Sequence, residues 1–168
     1  MKPPNPRSAP MADRIVARDL MRTDFQRIQT DQTLGEAMAA LRETQREHGI
    51  PSALMVVDEH DTFCGMLTAR LLIRILVGEG ETDDARLLQV ASERLKQCVG
   101  DALIEGIPVV APDDRLLTMI RRGITTRLDF VAVVDDGRPV GFAPVTAIFQ
   151  AVAGMALTLG DEGVRFDR

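Results

Sequence analysis

The chain is written twice, and nothing else in it restricts the fold as strongly. At an offset of 82 residues, Asp19-Leu20-Met21 aligns with Asp101-Ala102-Leu103, Ile28 with Val110, Asp31 with Asp113 and Leu34 with Leu116. Further on, Val56-Val57-Asp58 matches Val133-Val134-Asp135 and Gly65 matches Gly141, at offsets of 77 and 76. The second copy has therefore lost residues from its middle and from a later turn, where loops and helix ends absorb them. Each copy must build the same supersecondary unit. At about 60 residues, neither can bury a sufficient core alone.

Read locally, each copy is β-α-β-β-α. A short extended segment (Phe25–Gln29; Ile107–Ala111) runs into an Asp-containing turn. In copy one, Thr33-Leu34-Gly35-Glu36 has the form of a capping box, and Leu34, Ala37, Met38 and Leu41 follow helical spacing up to a terminating Gly49. Two strand-like runs come next: Ala53–Val57 and Phe63–Leu67 in copy one, Phe130–Val134 and Pro139–Ala143 in copy two. The second pair is joined by Asp135-Asp136-Gly137, a hairpin signal. Apolar helices, Ala69–Val77 and Val145–Leu159, close the copies. Between the copies, residues 78–97 predict a connector helix from Asp84 to Gln97, with Leu87, Leu88, Ala91 and Leu95 on its packed face. Residues 1–13 and 158–168 are expected to be tails.

Composition excludes several functions. Aromatic residues make up 4%, with no Trp and no Tyr, so a base-stacking surface is not expected. Twenty basic against 25 acidic residues leave a net charge of −5, a field that opposes nucleic acid. Two cysteines, Cys64 and Cys98, are expected to be buried, reduced thiols in a cytoplasmic protein. With two histidines and no clustered spacing, no metal site is expected. Neither a Ser/His/Asp order nor a phosphate-cradling glycine loop is present, so no catalytic residues are assigned and an enzyme is not expected. The first ten residues hold four prolines and no apolar core of a signal peptide. Pro139 to Gly160 is free of charge for 22 residues. Its helical part is nevertheless too short, at about 22 Å, for a bilayer core of about 30 Å.

Order, spacing and duplication together resemble a tandem pair of CBS domains, the Bateman module, over about residues 14–77 and 98–157. The resemblance rests on Val16-Ala17-Arg18-Asp19-Leu20-Met21, on Thr30-Asp31-Gln32-Thr33-Leu34-Gly35-Glu36-Ala37, on Gly49-Ile50-Pro51-Ser52-Ala53-Leu54-Met55-Val56-Val57-Asp58, and on Gly65-Met66-Leu67-Thr68-Ala69-Arg70. It implies an α+β fold, with two repeats packed sheet to sheet around one core. It also implies a regulatory module that holds AMP, ADP, ATP or S-adenosylmethionine between its repeats, with no other cofactor. A homodimer is implied as well, with an apolar surface expected around Leu72, Leu76, Phe149 and Val152. An unidentified regulated protein would be the partner, with neither nucleic acid nor membrane involved.

In the family pattern, each copy ends its last strand with Gly-x-x-Thr/Ser-x-x-Asp, the hydroxyl meeting phosphate or ribose and the carboxylate meeting the ribose diol. Copy one keeps Thr68 but has Leu71 in place of the acid; copy two has Pro144 and Ala147. The resemblance assigns adenine to Ile28 and Ala53, its edge to the backbone of Pro51 and Ser52, and phosphates to Arg70 or Arg127. Each assignment has a plainer alternative. Thr68 can be a helix cap alone, Arg70 and Arg74 a solvated face, and Arg127 a surface loop charge. The missing acids favour a rival reading, a degenerate pair that only dimerises or docks a partner. In the ligand-binding reading, restoring an acid by Leu71→Asp is expected to tighten binding.

Overall fold

The computed structural model describes residues 14–49, 53–78 and 83–163. The expected N-terminal tail, together with Pro51 and Ser52, lies outside the described residues.

Local chemistry sets the first helix pair. Before α2 (Leu34–His48), Thr33 Oγ1 accepts the Glu36 N–H at 3.2 Å, and Glu36 accepts the Thr33 N–H at 2.7 Å. Gly49, left-handed at φ 64°, closes the helix. Strand β1 (Gln26–Gln29) runs parallel to β2 (Ala53–Val57), with Ile28 beside Val56. β3 (Phe63–Thr68) is antiparallel to β2 and sets Thr68 directly opposite Ala53. All five residues of β2, the central strand, are buried. α3 (Ala69–Val77) follows without a loop.

The second sheet repeats this order: β4 (Val109–Val110) lies parallel to β5 (Phe130–Asp135), with β6 (Arg138–Pro144) on the other side. Asp136 and Gly137 both take positive φ, as a two-residue hairpin requires. α5 (Leu116–Ile124) and α6 (Val145–Gly163) complete the copy; α6 runs past the predicted stop at Leu159. Among the described residues no helix is long and apolar enough to cross a membrane.

α4 (Asp84–Arg94) is the predicted connector helix, capped by Asp83. Its packed face differs by a small rotation. Ala91 and Leu95 meet the first core, whereas Leu88 is exposed. The rotation lets Arg94 donate to the carbonyls of Ile75 and Leu76 at 2.8 and 3.3 Å, satisfying the open end of α3.

The chain divides into two compact units that cut across the repeats. The first holds residues 24–107 and 136–139; the second holds residues 14–23, 108–135 and 140–163. Each copy's lead-in is thus built into the unit that carries the other copy's strands. In the second unit, α1 (Ala17–Leu20) brings Ala17 N–H to Asp114 O at 2.9 Å and Arg18 N–H to Pro112 O at 2.9 Å. In the first, the 3-10 turn Val99–Ala102 brings Val99 N–H to Gln32 O at 2.7 Å and Gly100 N–H to Thr30 O at 2.9 Å. These bonds are the same two bonds displaced by 82 residues. Ala17 and Val99 are fully buried at equivalent positions.

Buried apolar side chains form two clusters, one per unit, where a single core was expected. Leu72 and Leu76, expected at an exposed dimer surface, are buried in the first cluster because α3 turns them toward the sheet. Phe149 and Val152 are exposed as expected. The cysteines are not the buried thiols expected: Cys64 is exposed on the solvent-facing start of β3, and Cys98 is half-buried.

The duplicated glycines mark where each lead-in crosses a strand. A Cβ on Gly65 would meet the Leu103 side chain at 2.9 Å; one on Gly141 would meet the Arg22 carbonyl oxygen at 2.7 Å and Met21 Sδ at 2.9 Å. A leucine tip can turn away, but a backbone carbonyl held in the Arg22–Phe142 bridge cannot. Gly141→Ala should therefore destabilise by about 1–3 kcal/mol, and Gly65→Ala by clearly less. Urea denaturation of both variants beside the wild type checks the order.

Candidate functional site

Three of the predicted ligand residues of copy one, Ala53, Thr68 and Arg70, lie at the junction of β3 and α3. Thr68 ends the strand in extended geometry and caps the helix, its Oγ1 accepting the Leu71 N–H at 3.2 Å. That bond uses a lone pair and leaves the hydroxyl proton to donate elsewhere. Thr68 and its register partner Ala53 are both buried, and Ile28 is buried inside the first core cluster, where it presents almost no surface to a ligand. Arg70, on the first turn of α3, is exposed, as is Arg74 one turn later. Arg127 belongs to the other unit, exposed in the loop before β5.

Leu71 decides the character of this junction. It is 1% exposed, so the position where the family pattern has an acid is occupied by a core side chain. Burial gives Leu71→Asp a cost in stability that the expectation about affinity did not include. The substitution would delete a buried apolar side chain and bring in a group that must be charged or desolvated. It should lower stability by at least about 2 kcal/mol, seen as a shifted denaturation midpoint, before any gain in affinity could be read.

Copy two has no counterpart of the Thr68 cap. Pro144 carries no hydroxyl, and the first amide of α6, Val145 N–H, is satisfied by the Asp129 carbonyl at 2.9 Å. The aromatic pair Phe130 and Phe142, edge to face at 5.2 Å, fills the strand layer beneath it.

A second concavity lies at the carboxyl ends of β1 and β2, and sequence reasoning did not assign it. It measures about 280 Å³ and is lined by Gln29, Thr30, Asp31, Asp58, Glu59 and His60. None of the predicted ligand residues lines it. The duplicated Asp after each second strand was the available signal. Asp58 Oδ1 accepts the backbone N–H groups of Thr62 and His60, each at 2.9 Å. The Thr62 bond holds its carboxyl below the ordinary aspartate range against the opposing effect of burial, with a lesser contribution from the His60 bond. Three carboxylates around this cleft would repel a phosphate. Among the described residues no group of three or more His, Cys, Asp or Glu is placed to hold a metal ion.

Two comparisons bear on this geometry. Residues 17–78 match the family described as CBS domain. The chain's two repeats have the α+β fold of solved CBS-domain proteins. One is a CBS domain-containing protein of unknown function from Bacillus anthracis str. Ames Ancestor: TM-score 0.65, 22% identity, over 83% of this chain and 94% of that one. A second is the cytosolic domain of the Mg2+ channel MgtE in complex with ATP: TM-score 0.61, 21% identity, over 80% of this chain and 48% of that one. A third is CBSX2 in complex with AMP: TM-score 0.59, 20% identity, over 84% of this chain and 98% of that one. The chain thus spans about half of the channel domain and nearly all of the other two. No curated protein sequence matches it.

Two turn carboxylates of the first unit carry a pH dependence. Like Asp58, Glu36 is held below the ordinary range, chiefly by the Thr33 backbone N–H and then by its hydroxyl. A carboxyl lowered on folding contributes stability that is present above its unfolded value and lost as pH falls through the folded one. Stability should therefore decline below about pH 4.3. Glu36→Gln with Asp58→Asn should flatten that acid limb, as measured by urea midpoints from neutral to acidic pH.

Proposed function

We propose that this protein is a non-enzymatic, cytoplasmic regulatory module whose CBS pair senses an adenine nucleotide or a related adenosyl ligand. The observation that carries the reading is the junction at Thr68, a strand-end hydroxyl opposite Ala53 with Arg70 in the first turn of the following helix. Solved CBS proteins of the same fold hold ATP and AMP, which supports an adenine nucleotide as the class of ligand. In this reading the Thr68 hydroxyl donates to a ribose or phosphate oxygen, and Arg70 supplies a cation against the chain's negative field. ADP and S-adenosylmethionine are the further candidates; no other cofactor is invoked. Without a ribose carboxylate, binding forfeits about 1.5–3 kcal/mol, or one to two decades. A micromolar ligand is expected.

A second reading, a pair that only dimerises or docks a regulated partner, draws support from the buried Leu71 and from Pro144 in copy two. Calorimetry with AMP, ADP, ATP and S-adenosylmethionine separates the two. In the ligand-binding reading, the wild type gives a saturable heat with at least one of them. Thr68→Val then weakens it about tenfold, and Arg70→Ala weakens the phosphorylated ligands more than S-adenosylmethionine. Wild-type protein giving no heat with any of the four leaves the docking reading in place.

A further inference from the structure

Resting on the reading of this protein as an adenine-nucleotide sensor, we propose that its copy-one junction holds the phosphate of the ligand and leaves the sugar unread. Ribo- and deoxyribonucleotides then bind alike, and Leu71 is the residue that sets this indifference.

Reading a ribose requires an acceptor for its hydroxyl protons. This part of the chain is built without one. Residues 63–78 include no acid, and residues 49–57 include no charged side chain of either sign. The carboxylates of the first unit gather elsewhere. Asp58 lines the cleft at the carboxyl end of β2, whereas Thr68 faces Ala53 at the other end of that strand, about 16 Å away. Leu71, in the first turn of α3, is 1% exposed and brings neither a lone pair nor a polar hydrogen. An apolar side chain gains nothing from a sugar hydroxyl, and it does not strongly reject a sugar that has one.

The junction offers a donor instead. Thr68 is 4% exposed, and its Oγ1 accepts the Leu71 N–H at 3.2 Å. Among the described residues no group accepts the proton of that hydroxyl. A buried hydroxyl proton without an acceptor is uncommon and calls for an oxygen from outside the chain. The charged side chains of residues 63–78 are Arg70 and Arg74, both exposed on α3. An ionised phosphate oxygen only accepts, so it satisfies Thr68 and leaves nothing of its own unpaired. A ribose hydroxyl in the same place would take the Thr68 proton and then need an acceptor for its own, which Leu71 cannot supply.

Calorimetry of the full chain with ATP, dATP and adenosine tests the assignment. ATP and dATP should bind with dissociation constants within about twofold, where a hydroxyl held by a carboxylate would separate them by about tenfold or more. Adenosine should bind at least about tenfold more weakly than either. Thr68→Val should weaken ATP and dATP by the same factor, because the lost bond goes to phosphate, and Thr68→Ser should keep both. A tenfold preference for ATP over dATP, adenosine binding as tightly as ATP, or a Thr68→Val loss confined to ATP would each overturn the proposal while leaving the nucleotide sensor in place. No saturable heat with either nucleotide would overturn both.

Discussion

The exchange of lead-in segments is the constraint on which the rest of this structure depends. Ala17 and Val99 are short side chains at the start of their copies, yet each is fully buried in a unit whose strands come from the other copy. Their backbone bonds to Asp114 and Gln32 satisfy donors and acceptors at turns that would otherwise open to water. The same segments pair edge to edge with the residues that begin α2 and α5, through the bridges Thr33–Cys98 and Val16–Arg115. A unit deprived of its lead-in loses core contacts and helix-start hydrogen bonds together. The match to the CBS domain at residues 17–78 consequently includes a lead-in that folds into the other unit.

Gly65 and Gly141 follow from that exchange. A lead-in can cross the edge of β3 or β6 closely only where the strand has no side chain at the crossing point. The glycines supply that space without using their capacity for unusual backbone angles. In the second unit the fit is closer still: the Arg22 guanidinium lies 5.3 Å above the Phe142 ring, and Phe142 is stacked edge-on against Phe130. Copy two has spent its strand ends on packing, with Phe130, Phe142 and Pro144 where copy one has Ala53, Met66 and Thr68.

Electrostatics divides the first unit into two regions. At the β3–α3 junction the backbone is capped by a neutral hydroxyl and the nearby exposed charges are Arg70 and Arg74. At the carboxyl ends of β1 and β2, Asp31, Asp58 and Glu59 gather, and backbone donors keep Asp58 ionised. The three carboxylates disfavour an anion at the second region by Coulomb repulsion.

Much of the fold was determined by the sequence itself, because the deciding interactions are local. The Thr33–Glu36 box, the left-handed Gly49 and the Asp136-Gly137 turn each involve residues a few positions apart. The duplication then dictates that what holds for one copy holds for the other. Within the candidate site, Thr68 was legible for the same reason, since a cap is read from its own helix. Tertiary structure alone decided the rest. Nothing within a few residues of Leu71, Leu72 and Leu76 says that all three are buried, that Leu88 turns outward on α4, or that Cys64 faces solvent. Those outcomes depend on which elements meet across the sheet and on where the lead-ins fold. Contacts between residues about 80 positions apart leave no periodicity for a sequence to display.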